Sequence, residues 1–191
     1  MALPRRKPSG YTYADYLTWP DDVRYELVDG VAYAMGPAPT RIHQQVAGEI
    51  FRQTANALKG KPCQAFVAPL DVRLPQAGAA DAATVTVLQP DVLVVCDPAK
   101  LDDQGVRGAP DWVVEVLSPA SAVHDQIVKL AAYERAGVAE YWLVHPTDRV
   151  VTVYRLQDGA YGRPEISELQ GTLAVAVVPN LVIDWAELPP A

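Results

Sequence analysis

Two acidic residues stand in successive apolar runs of this chain. Asp91 heads Val92-Leu93-Val94-Val95-Cys96, and Glu115 interrupts Trp112-Val113-Val114-Glu115-Val116-Leu117. Short apolar runs read as buried strands, and a carboxylate inside one is costly to desolvate unless a cation or hydrogen-bond donors compensate it. A divalent metal is such a cation. Ions of the Mg²⁺ type take one or two carboxylates together with waters and phosphate oxygens. Two carboxylates from neighbouring strands therefore form a minimal cradle, and the chemistry it suits is phosphoryl transfer.

A third candidate lies just downstream. Asp125, Lys129 and Tyr133 recur every four residues and share one helix face, while Ile127, Leu130 and Ala131 lie toward another. The expectation is that the apolar face packs and the polar face acts. Alone, Asp125 and Lys129 make an ordinary exposed pair worth roughly 0.3–0.5 kcal/mol. The helix starts a few residues after Glu115, however, so its first turns can fold back over that carboxylate. The Lys129 ammonium would then sit near a metal-bound water or the scissile phosphate, where positive charge steadies the transition state. Other schemes find less support. No G-x-S-x-G elbow surrounds Ser118 or Ser121, neither cysteine has a histidine motif beside it, and there is no G-x-x-x-x-G-K-[ST] loop. Trp112, Tyr141 and Trp142 belong to apolar runs and read as core.

The elements that must position these residues follow from punctuation and period. Residues 1–10 carry two prolines and Arg5-Arg6-Lys7 and read as a flexible tail, with 11–191 as one domain. Thr12 can cap a short helix, and Asp29-Gly30 marks a two-residue hairpin turn between Tyr25 and Met35. Thr40 offers an N-cap and Gly60 a stop to a helix whose Ile42, Val46, Ile50, Thr54 and Leu58 recur at helical spacing. Residues 66–74 read as one strand, 75–83 as a loop, and 85–88 as a strand leading to Asp91. The polar stretch 97–110 reads as a returning connection. A helix is expected from about Ser121 to Ala136 with Gly137 as its stop. Strands at 140–144 and 150–154 and a closing hairpin-like region around Asp158-Gly159 and 173–178, ending near Trp185, complete a mixed sheet flanked by helices. The fold class is α/β, with α+β character.

Composition narrows the classes. With 16 Lys and Arg against 23 Asp and Glu, the formal charge of −7 disfavours a protein that coats nucleic acid by bulk electrostatics. It leaves room for a local groove or a bound metal. Cys63 and Cys96 lack CxxC spacing, which suits two reduced thiols in a cytoplasmic protein and argues against zinc. No apolar stretch approaches a membrane span and no apolar segment follows the basic start. A soluble chain that is not exported, with no membrane partner, is expected.

At these residues the chain resembles a known family. Pro90-Asp91, Val114-Glu115-Val116-Leu117-Ser118-Pro119, Asp125 followed by Lys129, and Gly137-Val138-Ala139-Glu140-Tyr141-Trp142-Leu143-Val144 look like the Uma-two endonuclease family, of the PD-(D/E)XK restriction-endonuclease-like superfamily. The likeness runs from Tyr25-Glu26-Leu27-Val28-Asp29-Gly30 to about Tyr154. It implies a restriction-endonuclease-like fold and a metal-dependent endonuclease acting on DNA, with Mg²⁺ or Mn²⁺ as cofactor. Asp91 and Glu115 would be metal ligands assisted by the Val116 carbonyl, and Glu26 would complete the metal site. The superfamily's lysine lies two residues after the glutamate, where this chain has Leu117; the resemblance moves that role to Lys129. It also turns His43, Gln44 and Gln45 toward the site, although a lone helix histidine is more often a structural hydrogen bonder. His124 and His145 have still less context. Glu26 has an equally simple reading as an exposed carboxylate near Arg24. A homodimer is the geometric expectation for cutting both strands of a duplex. The main alternative is a non-cutting regulatory module that binds metal or nucleic acid while keeping the nuclease fold. A third possibility is a purely structural network of the carboxylates with Lys129.

Overall fold

The computed structural model describes residues 9–20, 24–36, 38–118 and 123–188. Residues 1–8 of the expected tail, and Ser121 at the expected start of the second helix, lie outside the described residues. Along the chain, α1 (Tyr13–Tyr16) precedes the hairpin β1 (Tyr25–Val28) and β2 (Val31–Ala34), then the long helix α2 (Arg41–Leu58). Strands β3 (Gln64–Val67), β4 (Val72–Arg73), β5 (Val87–Leu88) and β6 (Val92–Val95) follow, then a small hairpin of β7 (Leu101–Asp102) and β8 (Gly105–Arg107). After β9 (Trp112–Val116) comes a π-helical turn, His124–Lys129, that continues as α3 (Leu130–Ala136). The chain closes with β10 (Glu140–His145), β11 (Val150–Gln157), β12 (Ala160–Tyr161), β13 (Glu165–Glu168), β14 (Thr172–Ala174) and β15 (Val182–Asp184).

The result is a mixed α/β architecture. Among the described residues, one sheet has the order β2-β1-β5-β4-β8-β7 and the other β12-β11-β10-β9-β6-β3, with β13 also on β11; β14 and β15 pair separately. β9 and β10 are parallel, with the π-helical turn and α3 between them in sequence, a crossover that antiparallel neighbours would not need. β6 runs antiparallel to β9.

Alternation along the central strands decides what each face meets. Val92, Val94, Trp112, Val114, Val116, Trp142 and Val144 face α2, where they pack with Val46, Ala47, Ile50 and Leu58. That stripe is the one its spacing predicts, and Thr40 caps the helix by accepting from the His43 N–H at 3.3 Å. Leu93, Val95, Val113, Leu117, Tyr141 and Leu143 point the other way and meet Val28, Val72, Leu88 and Val106 of the other sheet and Ala132 and Tyr133 of α3. Glu115 lies between Val113 and Leu117 in this alternation. It is therefore delivered to the interior between the sheets, beneath α3.

Several expectations are corrected. The single strand at 66–74 is two strands in different sheets, because Pro69 has no N–H to continue a ladder. The 97–110 connection contains the β7–β8 hairpin, whose two- and three-residue strands are too short to show a period. The two reduced thiols are instead a disulfide: β3 and β6 pair with Gln64 opposite Val95, which places Cys63 and Cys96 opposite each other one step further on. The expected packing face of the second helix holds only in part, since Leu130 packs on the core between the sheets but Ile127 does not. Ile127 is 64% exposed while Asp125, Lys129 and Tyr133 are buried.

Gly105 ties the edge of the smaller sheet to the interior. Its φ is +119° and a Cβ there would lie 2.3 Å from the Asp71 carbonyl oxygen. The Val106 N–H donates to that carbonyl at 2.9 Å. The Asp71 carboxylate in turn accepts from Gln89 Nε2 at 2.7 Å and from the Tyr16 hydroxyl at 3.0 Å. Gly105→Ala should lower stability by about 2 kcal/mol or more. Gly48→Ala, in mid-α2 with nothing near its added methyl, should raise it by about 0.5–1 kcal/mol. Urea denaturation of both variants checks the pair, and a neutral Gly105→Ala would show that β8 does not approach Asp71 this closely.

Candidate active site

Lys129 is the centre of a buried charge cluster. Its ammonium lies 2.9 Å from Glu26 Oε1, 2.9 Å from Glu115 Oε1 and 3.3 Å from Asp125 Oδ1. Glu26 comes from β1, Glu115 from β9, and Asp125 from the same π-helical turn as Lys129. The cluster thus draws together both large sheets and the crossover segment. All four residues are at most 4% exposed, so the Asp125–Lys129 spacing marks an interior contact, not the exposed pair it resembles in isolation. Such π-helical turns are rare and concentrate at functional sites.

The remaining hydrogen bonds orient the carboxylates. Glu26 Oε1 also accepts from the Gln89 N–H at 2.9 Å, and His124 Nε2 lies 3.1 Å from Glu26 Oε2. The Tyr133 hydroxyl donates to Glu115 Oε1 at 3.0 Å. Tyr133 is the next member of the four-residue series, which is the signal that could have assigned it. No comparable signal marks His124: its partner Glu26 is 98 residues away in sequence. Its ring also packs on Tyr33, with centroids 4.6 Å apart. Arg24, the simple partner for Glu26, bonds Gln89 instead.

Asp91 lies alongside. β6 and β9 pair with Val92 opposite Val114, so one more step of the register sets Asp91 opposite Glu115. Asp91 Oδ2 accepts from the Val116 N–H at 2.7 Å and lies 3.1 Å from His43 Nε2. His43 is in the first turn of α2, and its Nδ1 is buried without a hydrogen-bond partner among the described residues. Of the residues expected at the site, Glu26, Glu115 and Lys129 form one contact group; Asp91 and His43 form a second beside it. His145 takes part in neither.

The electrostatics are lopsided. Burial would raise the Glu26 carboxyl, but Lys129, His124 and the Gln89 N–H outweigh it and hold the group down at about 2. Burial pushes Glu115 well up, and the charges of Asp125, Asp91 and Glu26 add to that against the pull of Lys129. Burial opposes the Lys129 charge, yet Glu115, Glu26 and Asp125 together hold the ammonium well above its ordinary range. Burial likewise works against a charged His43, and Asp91 reverses it, raising the imidazole. Three carboxyl groups thus bear on Glu115 beside one charged lysine. Among the described residues no three His, Cys, Asp or Glu side chains are gathered to hold an ion by themselves. A Mg²⁺-type ion needs only one or two carboxylates with waters and phosphate. Glu115 and Asp91, on opposed positions of neighbouring strands, fit that requirement.

The Uma2 family model, described as "Putative restriction endonuclease", matches residues 13–186. The chain is similar to "Uncharacterized protein slr1290" of Synechocystis sp. (strain ATCC 27184 / PCC 6803 / Kazusa), with 29% identity over 147 residues, 75% of this chain and 73% of that protein. In three dimensions it is similar to the crystal structure of "a putative nuclease belonging to DUF820" from Anabaena variabilis ATCC 29413. The TM-score is 0.72 at 21% identity, over 92% of this chain and 96% of the other. The fold is restriction-endonuclease-like. No helix among the described residues is long and apolar enough to cross a membrane.

Lys129→Met should destabilise the protein by roughly 3–5 kcal/mol near neutral pH, because it leaves buried carboxylates without their cation. The Glu26 carboxyl is depressed from 4.5 to about 2. Its share of that stability is complete above pH 4.5 and disappears as pH falls toward 2. Urea melts of both proteins over that range should show the gap narrowing with acid; a constant gap would mean that Lys129 does not set the Glu26 charge.

Proposed function

The chain belongs to the Uma2 family, and from that premise we propose that it is a divalent-metal-dependent endonuclease that hydrolyses phosphodiester bonds, with DNA as its substrate. The observation that supports this best is the juxtaposition of Asp91 and Glu115 beside a lysine that three carboxylates hold in place. Asp91 and Glu115 would hold the ion, assisted by the Val116 carbonyl, while His43, whose Nε2 lies 3.1 Å from Asp91 Oδ2, would orient that carboxylate. Mg²⁺ or Mn²⁺ is the expected cofactor; when bound, it would lower the pKa of a water and screen phosphoryl oxygens. Lys129 is kept protonated by its neighbours, so its part is that of a fixed positive charge and donor, not of a base. Both Glu26 oxygens are engaged, with Lys129 and the Gln89 N–H on one and His124 on the other. In this reading it serves the metal site from behind, by holding Lys129. Cutting both strands of a duplex would take two such sites, which a two-fold homodimer provides.

The formal charge of −7 favours a second reading, in which the protein binds metal or nucleic acid for a regulatory purpose and cuts nothing. Supercoiled plasmid and a single-stranded oligonucleotide, incubated with Mg²⁺, Mn²⁺ or chelator, separate the two. The expected result is metal-dependent nicking or cleavage by the wild type, reduced about 10²–10³-fold or more in Asp91→Ala and in Glu115→Ala. Metal and nucleic acid binding without any cleavage would instead establish the regulatory module.

A further inference from the structure

The Glu115 carboxylate is held from one side. Among the described residues its donors are Lys129 Nζ at 2.9 Å and the Tyr133 hydroxyl at 3.0 Å, and both address Oε1. A carboxylate oxygen has two lone pairs to offer. Two donors therefore occupy Oε1 and leave Oε2 as the oxygen able to turn toward a cation. Lys129 is poorly suited to set this orientation alone, because its rotatable ammonium also answers to Glu26 and Asp125. Tyr133 is better suited. Its ring is fully buried and packs on Tyr141 with centroids 5.0 Å apart, so the hydroxyl reaches Glu115 from a fixed direction. A phenolic hydroxyl has one hydrogen to donate, and here it goes to Glu115 Oε1.

We propose that Tyr133 is a positioning residue: its hydroxyl, with Lys129, fixes Glu115 so that Oε2 faces the divalent cation. The inference rests on the metal site of the preceding section. It deepens that reading by assigning the orientation of the carboxylate to a side chain that touches neither metal nor substrate. Groups that orient metal ligands typically alter metal affinity or activity by about 10–100-fold when removed.

Tyr141 supplies a matched comparison. It is as buried as Tyr133, but its hydroxyl donates to the Asp125 backbone carbonyl at 3.1 Å and not to Glu115. Tyr133→Phe and Tyr141→Phe each delete one buried hydroxyl and keep the ring. Mn²⁺ titration by isothermal calorimetry, with thermal midpoints of the same proteins in chelator, reads the difference. Tyr133→Phe should weaken Mn²⁺ binding about 10–100-fold and Tyr141→Phe should leave it within about threefold, at comparable midpoints. Wild-type affinity in Tyr133→Phe would overturn the positioning role while leaving the metal site standing. Equal losses in both variants would assign the effect to general packing and overturn it too. A wild type that binds no Mn²⁺ would remove the metal site and this inference together.

Discussion

An ammonium group buried away from water survives only if its surroundings return what hydration gave it, and Lys129 meets that condition with Glu26, Glu115 and Asp125. Each buried ion carries a desolvation penalty of several kcal/mol, so the four groups stand or fall together. This interaction joins β1 of one sheet to β9 of the other through the π-helical turn. Three carboxyl groups crowd one lysine and Asp91 adds a fourth, so burial and these neighbours push Glu115 toward its neutral form, a cost that a second cation would relieve. A simple structural ion pair would balance its charges. This cluster leaves Glu115 short of a cation, and it is not sealed: the side chains of His124 and Asp91 at its margins are 21% and 18% exposed.

Secondary structure does the placing. Period-2 alternation turns Glu115 inward with Val113 and Leu117, while the antiparallel register with β6 carries Asp91 to the opposed position. Helical spacing then brings Asp125, Lys129 and Tyr133 to one side of the crossover, where that side faces the sheet. Glu26 is held at longer range. The close approach of β8 at Gly105 fixes the Asp71 backbone, the Asp71 carboxylate fixes Gln89, and the Gln89 N–H bonds Glu26. A glycine without any chemistry of its own thereby helps to hold a charged group in place.

Much of this was legible in the residues themselves. The α2 stripe of Val46, Ile50, Thr54 and Leu58, the Asp29-Gly30 turn and the Glu115 strand all follow from local period and turn chemistry, and the structure has them. The fold class and the family resemblance also stand. What local pattern does not carry is long-range partnership. His124 acquires its meaning only from Glu26, and Cys63 pairs with Cys96 only because β3 lies on β6. Spacing sets Asp125, Lys129 and Tyr133 on one face of the second helix but carries no sign of that face's burial. An apolar Ile127 and a charged Lys129 suggest opposite exposures, until Glu26 and Glu115 from distant strands join Asp125 and make the interior the favourable place for the lysine.

The central claim is that Glu115, short of a cation in its buried site, and Asp91 opposite it together seat a divalent ion. Anomalous diffraction from crystals soaked in Mn²⁺ tests it most directly. The account predicts a peak bound by Asp91 and by Oε2 of Glu115 at about 2.0–2.4 Å, with Lys129 still on Oε1. A site empty at saturating Mn²⁺, or a peak seated instead on Glu26 and His124, would contradict it.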